Sequence, residues 1–228
     1  MDNSRNAKIA REHRQLINKS ASKTKQCYFI GCDKPTIHAH SISNERLIRK
    51  LSDDGHVMYM NKDTDGQDFS ELVETGRGKA TTFGGFCEDH DKIFHPIDNA
   101  DYEVGNAEQE FLFAMRASAK EFNIRQTISH SIETRLGSEQ KFEFPLDEEG
   151  KEMIKIFQQG FDAGDEDLRE NRGIFVDTFN KSKHNVIQTD VIVTDGELPI
   201  AVSSSFHLEL APDGSLINDV FPSGWNTK

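Results

Sequence analysis

The three cysteines of this chain fall in two short motifs. Cys27 and Cys32 bracket the run Cys-Tyr-Phe-Ile-Gly-Cys, and Cys87 opens Cys-Glu-Asp-His, which ends at His90. An odd cysteine count makes a poor disulfide framework. Thiolates grouped with an imidazole are instead what a tetrahedral zinc ion selects. The short loop between Cys27 and Cys32 lets both sulfurs turn inward. Cys87 and His90, three residues apart, share one face at the start of a helix. We expect one Zn2+ held by Cys27, Cys32, Cys87 and His90, with His38, His40 and His95 as rivals for the fourth place. Four protein ligands close the coordination shell, so the ion is expected to hold the fold and to do no chemistry. The alternative is that the cysteines are only buried apolar residues.

Periodicity places this pair of motifs in an α+β chain. Residues 4–19 have helical spacing, with Ile9, His13, Leu16 and Ile17 on one side. Residues 20–25 read as a polar linker, and residues 26–40 as extended. Ser43 is positioned to cap a short helix over Asn44–Lys50, which Gly55 ends. His56–Met60 reads as a strand, residues 61–80 as a long surface loop, and Thr81–Phe86 as extended around a Gly84-Gly85 turn. Cys87–Phe94 reads as a helix ended by Pro96.

The second half has another texture. Ala107–Leu136 and Glu149–Arg172 carry helical stripes and predict a helical hairpin. Val186–Ile187, Val191–Val193 and Ile200–Leu210 alternate like strands. Asp195-Gly196 and Asp213-Gly214 are turn signals between and after them, which predicts a small antiparallel β-sheet. The expected organisation is a basic helix and linker over 1–25, a zinc module over 26–100, and a helical hairpin with β-meander over 101–228.

Charge limits the partners. The net charge is −12. Residues 1–26 hold Arg5, Lys8, Arg11, Arg14, Lys19, Lys23 and Lys25 against Asp2 and Glu12, a net +5, leaving −17 elsewhere. A bulk negative charge repels nucleic acid at long range, so any contact with DNA or RNA needs a local basic surface. The candidates are the N-terminal helix and the Arg46, Arg49, Lys50 group. Either could equally be a solvated helix face. No run is long and apolar enough for a membrane span, and residues 1–15 have no apolar signal core, so a cytoplasmic protein is expected.

A second group of chemical residues borders the zinc motifs. His38 and His40 are two apart on an extended segment, and Asp91 and His95 are four apart on the helix that Cys87 opens. A strand histidine can take a proton from water, and a carboxylate with a second histidine can hold a divalent ion at a phosphate. His56, His130, His184 and His207 stand apart and read as structural or exposed.

Over residues 26–98 this layout resembles the treble-clef, ββα-metal module of HNH (His-Me finger) endonucleases. The resemblance rests on the Cys27/Cys32 pair, the His-Ala-His40-Ser strand and the run Cys87-Glu-Asp-His90-Asp91-Lys-Ile-Phe-His95. His90 stands where the family's second cysteine stands, and Asp91 and His95 where its metal-binding histidines stand. His40 stands where the general base stands. The departures are Ala39 at the usual metal-ligand position, for which His38 would substitute, and Thr81-Thr82 where an intermediate asparagine is usual. The resemblance implies phosphodiester hydrolysis with Mg2+ or Mn2+ at Asp91, His95 and His38. It also implies a nucleic-acid partner, DNA first, in a setting such as defence against foreign DNA. The rival expectation is an inactive zinc-binding adaptor that engages a protein partner through residues 101–228. A sequence-reading transcription factor is disfavoured, because no recognition helix or broad basic face is legible.

Overall fold

The computed structural model describes residues 3–60, 72–138, 141–206 and 211–216. The chain is a mixture of helices and two small antiparallel sheets, in keeping with the α+β expectation. Helix α1 spans Asn3–Lys23, four residues beyond the expected end. Its apolar side, with Leu16 and Ser20 buried, lies against the long helix α5, Ala107–Gly137. Thr24 and Thr127 meet through their hydroxyls at 3.0 Å at one end of that contact. The exposed side of α1 carries Arg5, Lys8, Arg11, Lys19 and Lys23.

From Thr36 to Ser41 the chain runs antiparallel to residues 81–87. Strand β1 (Ala39–His40) pairs with β4 (Thr82–Phe83), Ala39 opposite Phe83 and His40 opposite Thr82. A bridge between Thr36 and Cys87 extends the pairing. After β1, Ser43 caps a π-helical turn over Asn44–Ile48, accepting from the Arg46 N–H, and the turn runs into α2 (Arg49–Leu51). The helix ends at Leu51, ahead of the expected stop at Gly55, because Ser52 turns extended; Asp54 at φ +44° and Gly55 at φ +75° instead make the left-handed turn between Asp53 and His56.

The expected surface loop over 61–80 is corrected in part. Strand β3 (Leu72–Gly76) pairs with β2 (His56–Met60) in a five-residue register from His56–Gly76 to Met60–Leu72. The polar run ahead of Leu72 hid this strand, because an edge strand of alternating exposure needs few apolar residues. Residues 61–71 lie outside the described part.

The helix after Cys87 is built from three short pieces: α3 (Glu88–Asp91), a 3-10 turn (Lys92–Phe94) and α4 (His95–Asp98). Pro96 does not end it. It sits in the first turn of α4, where a missing N–H costs nothing and its fixed φ suits a new helix start.

Helix α6 spans Glu148–Asn180 and packs along α5 as the expected hairpin. Asp147 caps it through Gly150 N at 2.8 Å. It continues past Arg172, where Gly173, Ile174, Val176 and Thr178 lower local helix propensity. Tertiary packing overrides that preference: Val176 and Thr178 are buried, and Phe175 and Phe179 pack on the core.

The expected C-terminal sheet is not formed in the described residues. Residues 183–206 contain no strand, and Ile192 and Val193 are 90% and 85% exposed. Alternating side chains alone do not make a strand, because its backbone N–H and C=O groups need a neighbour to bond. The Asp213-Gly214 turn does form, with Ser215 N donating to the Asp213 carboxylate at 2.9 Å. His207, residues 208–210 and residues from 217 onward lie outside the described part.

One apolar core runs through the molecule. Tyr28, Phe86 and Phe94 from the cysteine-bearing segment pack with Phe111, Leu112, Met115 and Phe122 of α5, and with Leu168 and Val176 of α6. Edge-to-face contacts of Tyr28 with Phe86 and Phe122, both at 5.9 Å, link the two halves. No helix among the described residues is long and apolar enough to cross a membrane.

Candidate metal centre and the histidine beside it

Cys27 and Cys32 sit on a tight loop that reverses at Gly31, which has φ +78°. Cys32 N donates to the Phe29 carbonyl at 3.2 Å, folding both thiols to one side. Cys87 precedes α3, and His90 lies within it. These four residues converge, with their ligand atoms all within 4.8 Å of one another. His90 Nδ1 lies 3.2 Å from Cys27 Sγ and 3.3 Å from Cys87 Sγ, and the Cys32 and Cys87 sulfurs are 3.8 Å apart. The sulfur separation is far too long for a disulfide. It does match a tetrahedral zinc site, in which bonds of about 2.0–2.3 Å set ligand atoms about 3.5–3.8 Å apart.

The donor chemistry fits zinc equally well. Burial pushes the Cys27 thiol up to about 11. Burial would raise Cys87 too, but the backbone N–H of His90 and the neighbouring thiols draw it below its ordinary value. Crowded thiols in this setting suit a cation that replaces their protons. His90 is stacked on Phe29 with ring centres 3.9 Å apart and planes 9° off parallel, which fixes the imidazole's aim. Of the rival fourth ligands, none joins the group: His38 and His95 are exposed and His40 faces elsewhere.

His40 is half-buried at the end of β1. Its Nδ1 lies 3.0 Å from the Ala80 carbonyl and 3.4 Å from Thr81 Oγ1. A carbonyl only accepts, so Nδ1 carries the proton and Nε2 keeps its lone pair. Burial holds His40 below the ordinary histidine pKa, opposed by the Ala80 carbonyl, Asp91 and Asp98 and aided by Arg116. Asp91 is pushed up, chiefly by burial and with Asp98 adding, against Arg116, His40 and His95. Asp91 and Asp98 therefore share an electrostatic neighbourhood with the strand histidine, and His95 acts on Asp91. Only the cysteine-histidine group brings three or more ligand atoms to metal-holding distance among the described residues. His38, expected beside Asp91 and His95, stands exposed ahead of β1.

Two residues of this neighbourhood escaped the reading of the sequence. Arg116 of α5 is 3% exposed and forks onto Asp98, with Nη1 and Nη2 at 2.9 and 2.7 Å from the carboxylate oxygens. Its guanidinium lies 4.3 Å over the Phe94 ring. The signals were present. Asp98 follows Asp91 and His95 at i+7 and i+3, and Arg116 interrupts the apolar stripe of Leu112, Met115 and Ala119.

The expected basic group is partly neutralised. Arg46 pairs with Asp101 and donates to the Asn99 carbonyl at 3.3 Å, and Arg49 lies 3.6 Å from Glu45. Lys50 is exposed. Among the other histidines, His56 is exposed and bonded to the Asp54 carbonyl, His130 lies 3.9 Å from Glu133, and His184 stacks on Phe111. No family model, curated protein or solved structure matches this chain.

Proposed function

We propose that this chain is a metal-dependent nuclease of the HNH type, with a zinc-stapled treble-clef module that carries the reacting residues. The observation that carries the reading is the state of His40. Its Nδ1–H is committed to the Ala80 carbonyl, so a neutral Nε2 is free to accept a proton, within the electrostatic reach of Asp91. That is the protonation state a general base needs at neutral pH.

In this reading the Cys27, Cys32, Cys87 and His90 ligands hold Zn2+ and so fix the start of α3. Asp91 and His95 would bind Mg2+ or Mn2+, ions that keep several waters and need few protein ligands. When bound there, the ion would supply charge stabilisation at the scissile phosphate and its leaving oxygen. His40 accepts the proton of the attacking water at Nε2. The exposed basic side of α1, and Lys50, would meet the phosphate backbone. A role against foreign DNA follows from the family likeness alone.

The test is plasmid and RNA cleavage with Mg2+ or Mn2+, repeated with His40→Asn. Asparagine can still donate to the Ala80 carbonyl but supplies no base, so the fold should survive while cleavage drops by about 10²–10⁴-fold. Cleavage that persists in that variant would remove His40 from the chemistry.

One observation favours a second reading, the zinc-stabilised adaptor. Asp91 and His95 have no third ligand at metal-holding distance among the described residues. Absence of cleavage across metals and substrates, with zinc bound and the fold intact, would select that reading.

A further inference from the structure

The first half of α6 is an amphipathic helix with little to cover it. Among the described residues of 148–167, no side chain is buried; the first buried one is Leu168. Phe161 turns inward, where the Arg125 guanidinium lies 4.5 Å over its ring. Another set of apolar residues does not. Met153, Ile156 and Phe157 are 54%, 40% and 59% exposed. With Gly160 they stand at i, i+3, i+4 and i+7, one continuous stripe along the helix. A helix owes most of its stability to an apolar face packed on something, and this stripe is left to water.

Gly160 has no explanation within its own chain. Glycine weakens a helix interior, and a Cβ built on Gly160 would meet nothing within 4 Å. Gly164, one turn on, differs, because a Cβ there would touch the Arg125 guanidinium at 3.4 Å. A bare backbone on an exposed apolar stripe allows another chain to come close. The charges around the stripe have one sign. Residues 148–167 hold seven acidic residues against two lysines. Glu149 and Glu152 stand one turn before Met153 and Ile156, and Asp167 two turns beyond Gly160, all exposed. Lys151 and Lys155 each lie two residues from Met153, which turns them to the other side of the helix, and they pair with Glu148 and Glu152. An apolar stripe with an acidic rim is the complement of a helix with an apolar stripe and a basic rim. The exposed face of α1 supplies the basic residues but no apolar stripe beside them, so a second copy of this chain does not offer that complement through α1.

We infer that the Met153, Ile156, Phe157, Gly160 stripe of α6 is a docking site for a basic amphipathic helix of a partner protein. The partner's apolar residues cover Met153, Ile156 and Phe157, one of its side chains seats over Gly160, and its lysines or arginines meet Glu149, Glu152 and Asp167. The site lies in the helical half and does not depend on whether the chain cleaves nucleic acid.

The experiment uses the zinc-loaded full chain and two synthetic helical peptides. Both carry leucines at i, i+3, i+4 and i+7; one flanks them with lysine and the other with glutamate. Fluorescence anisotropy measures affinity, and methyl NMR of the methionines reports the place. The lysine peptide should bind at least tenfold more tightly than the glutamate peptide, should shift the Met153 methyl, and should weaken as salt rises. Phe157→Asp should lower its affinity at least tenfold. That variant adds negative charge, so plain attraction between a basic peptide and an acidic protein would make it bind more tightly instead. Gly160→Leu is the second variant: it should raise the thermal midpoint, since its Cβ meets nothing and leucine favours the helix, and yet weaken the lysine peptide at least tenfold. Equal binding of the two peptides, or no loss in Phe157→Asp, would overturn the proposal. So would a free chain that sediments as a dimer and becomes a monomer in Phe157→Asp, which would give the stripe to a second copy. A Met153 methyl shielded from solvent in the free monomer would give it to the chain's own residues and would overturn the proposal as well.

Discussion

Arg172, on α6, donates from Nη2 to the carbonyl of Cys27 at 3.0 Å. Its Nε donates to the next carbonyl, of Tyr28, at 2.7 Å, and the guanidinium lies 4.7 Å over the Phe122 ring. The backbone that presents the first cysteine of the metal cluster is therefore gripped by a helix more than a hundred residues away in sequence. Phe179, also on α6, meets Phe29 edge-on at 5.4 Å, and Phe29 in turn stacks on His90. The metal cluster and the helical hairpin share one set of supports.

Replacing Arg172 tests that dependence. Arg172→Met keeps much of the packing over Phe122 but strands two carbonyl acceptors. The expected loss is about 2–3 kcal/mol, the scale of charge-assisted hydrogen bonds to partly buried acceptors. Denaturant titration of the zinc-loaded protein measures it. The same variant should surrender its metal to a chelator faster than wild type, because the Cys27 carbonyl no longer holds the loop in place. Unchanged metal retention would mean the loop is rigid without α6.

Metal removal should be felt beyond residues 26–98. The wild-type chain should bind one zinc per chain, and Cys32→Ser should bind it more weakly, by mass-spectrometric or absorbance titration. On chelation, hydrogen exchange should rise in residues 26–40 and 84–95 and also in the last three turns of α6, through Arg172 and Phe179. The N-terminal half of α5 should remain protected by Leu112, Met115 and Ala119, which are buried at 1% exposure or less. Protection of the end of α6 that ignores the metal would break the proposed coupling.

The Arg116–Asp98 pair offers an asymmetric test. The arginine side chain is 3% exposed and the aspartate 31%. Asp98→Ala leaves a buried guanidinium without its partner and should cost about 3–5 kcal/mol. Arg116→Met should cost less, since Asp98 can reach water and methionine still covers Phe94. The double variant Asp98→Ala with Arg116→Met should cost clearly less than the sum of the two single variants. Thermal and denaturant unfolding of the three proteins decides the matter, and a fully additive double variant would argue that the two side chains do not interact.

Some of this was legible in the residues alone, and the reasons differ by element. The metal cluster could be read because thiolates are rare and their chemistry leaves few uses for them. Ser43 as a cap is a local backbone requirement, and local rules govern it. The end of α6 could not be read, since Val176 and Thr178 are helical only because the core receives them. The C-terminal strands failed for the opposite reason: Val191–Val193 has strand character but no neighbouring strand among the described residues. At the proposed second site, spacing alone singled out His40, Asp91 and His95. Arg116 was missed because it arrives from α5, a contact that no local pattern announces.

On the proposed nuclease reading, the environment of His40 sets the pH dependence of cleavage. Burial depresses its folded-state pKa below the ordinary value of about 6.5, so the neutral form that can accept a proton persists into mildly acidic solution. The sign for stability is the same. Below about 6.5 the unfolded chain takes up a proton that the folded one refuses, so the stability that His40 contributes is complete above that pH and is lost as the pH falls through the folded value. Two consequences can be measured together. The acid limb of kcat/KM should have its midpoint below about 6.5. The fall in thermal midpoint between pH 6.5 and the acid limb should be shallower in His40→Asn than in wild type, since asparagine does not titrate. An acid limb at or above the ordinary histidine value would mean that the ring in the working enzyme is solvated or paired with a carboxylate, and that the buried, Ala80-bonded His40 is not the group that takes the proton.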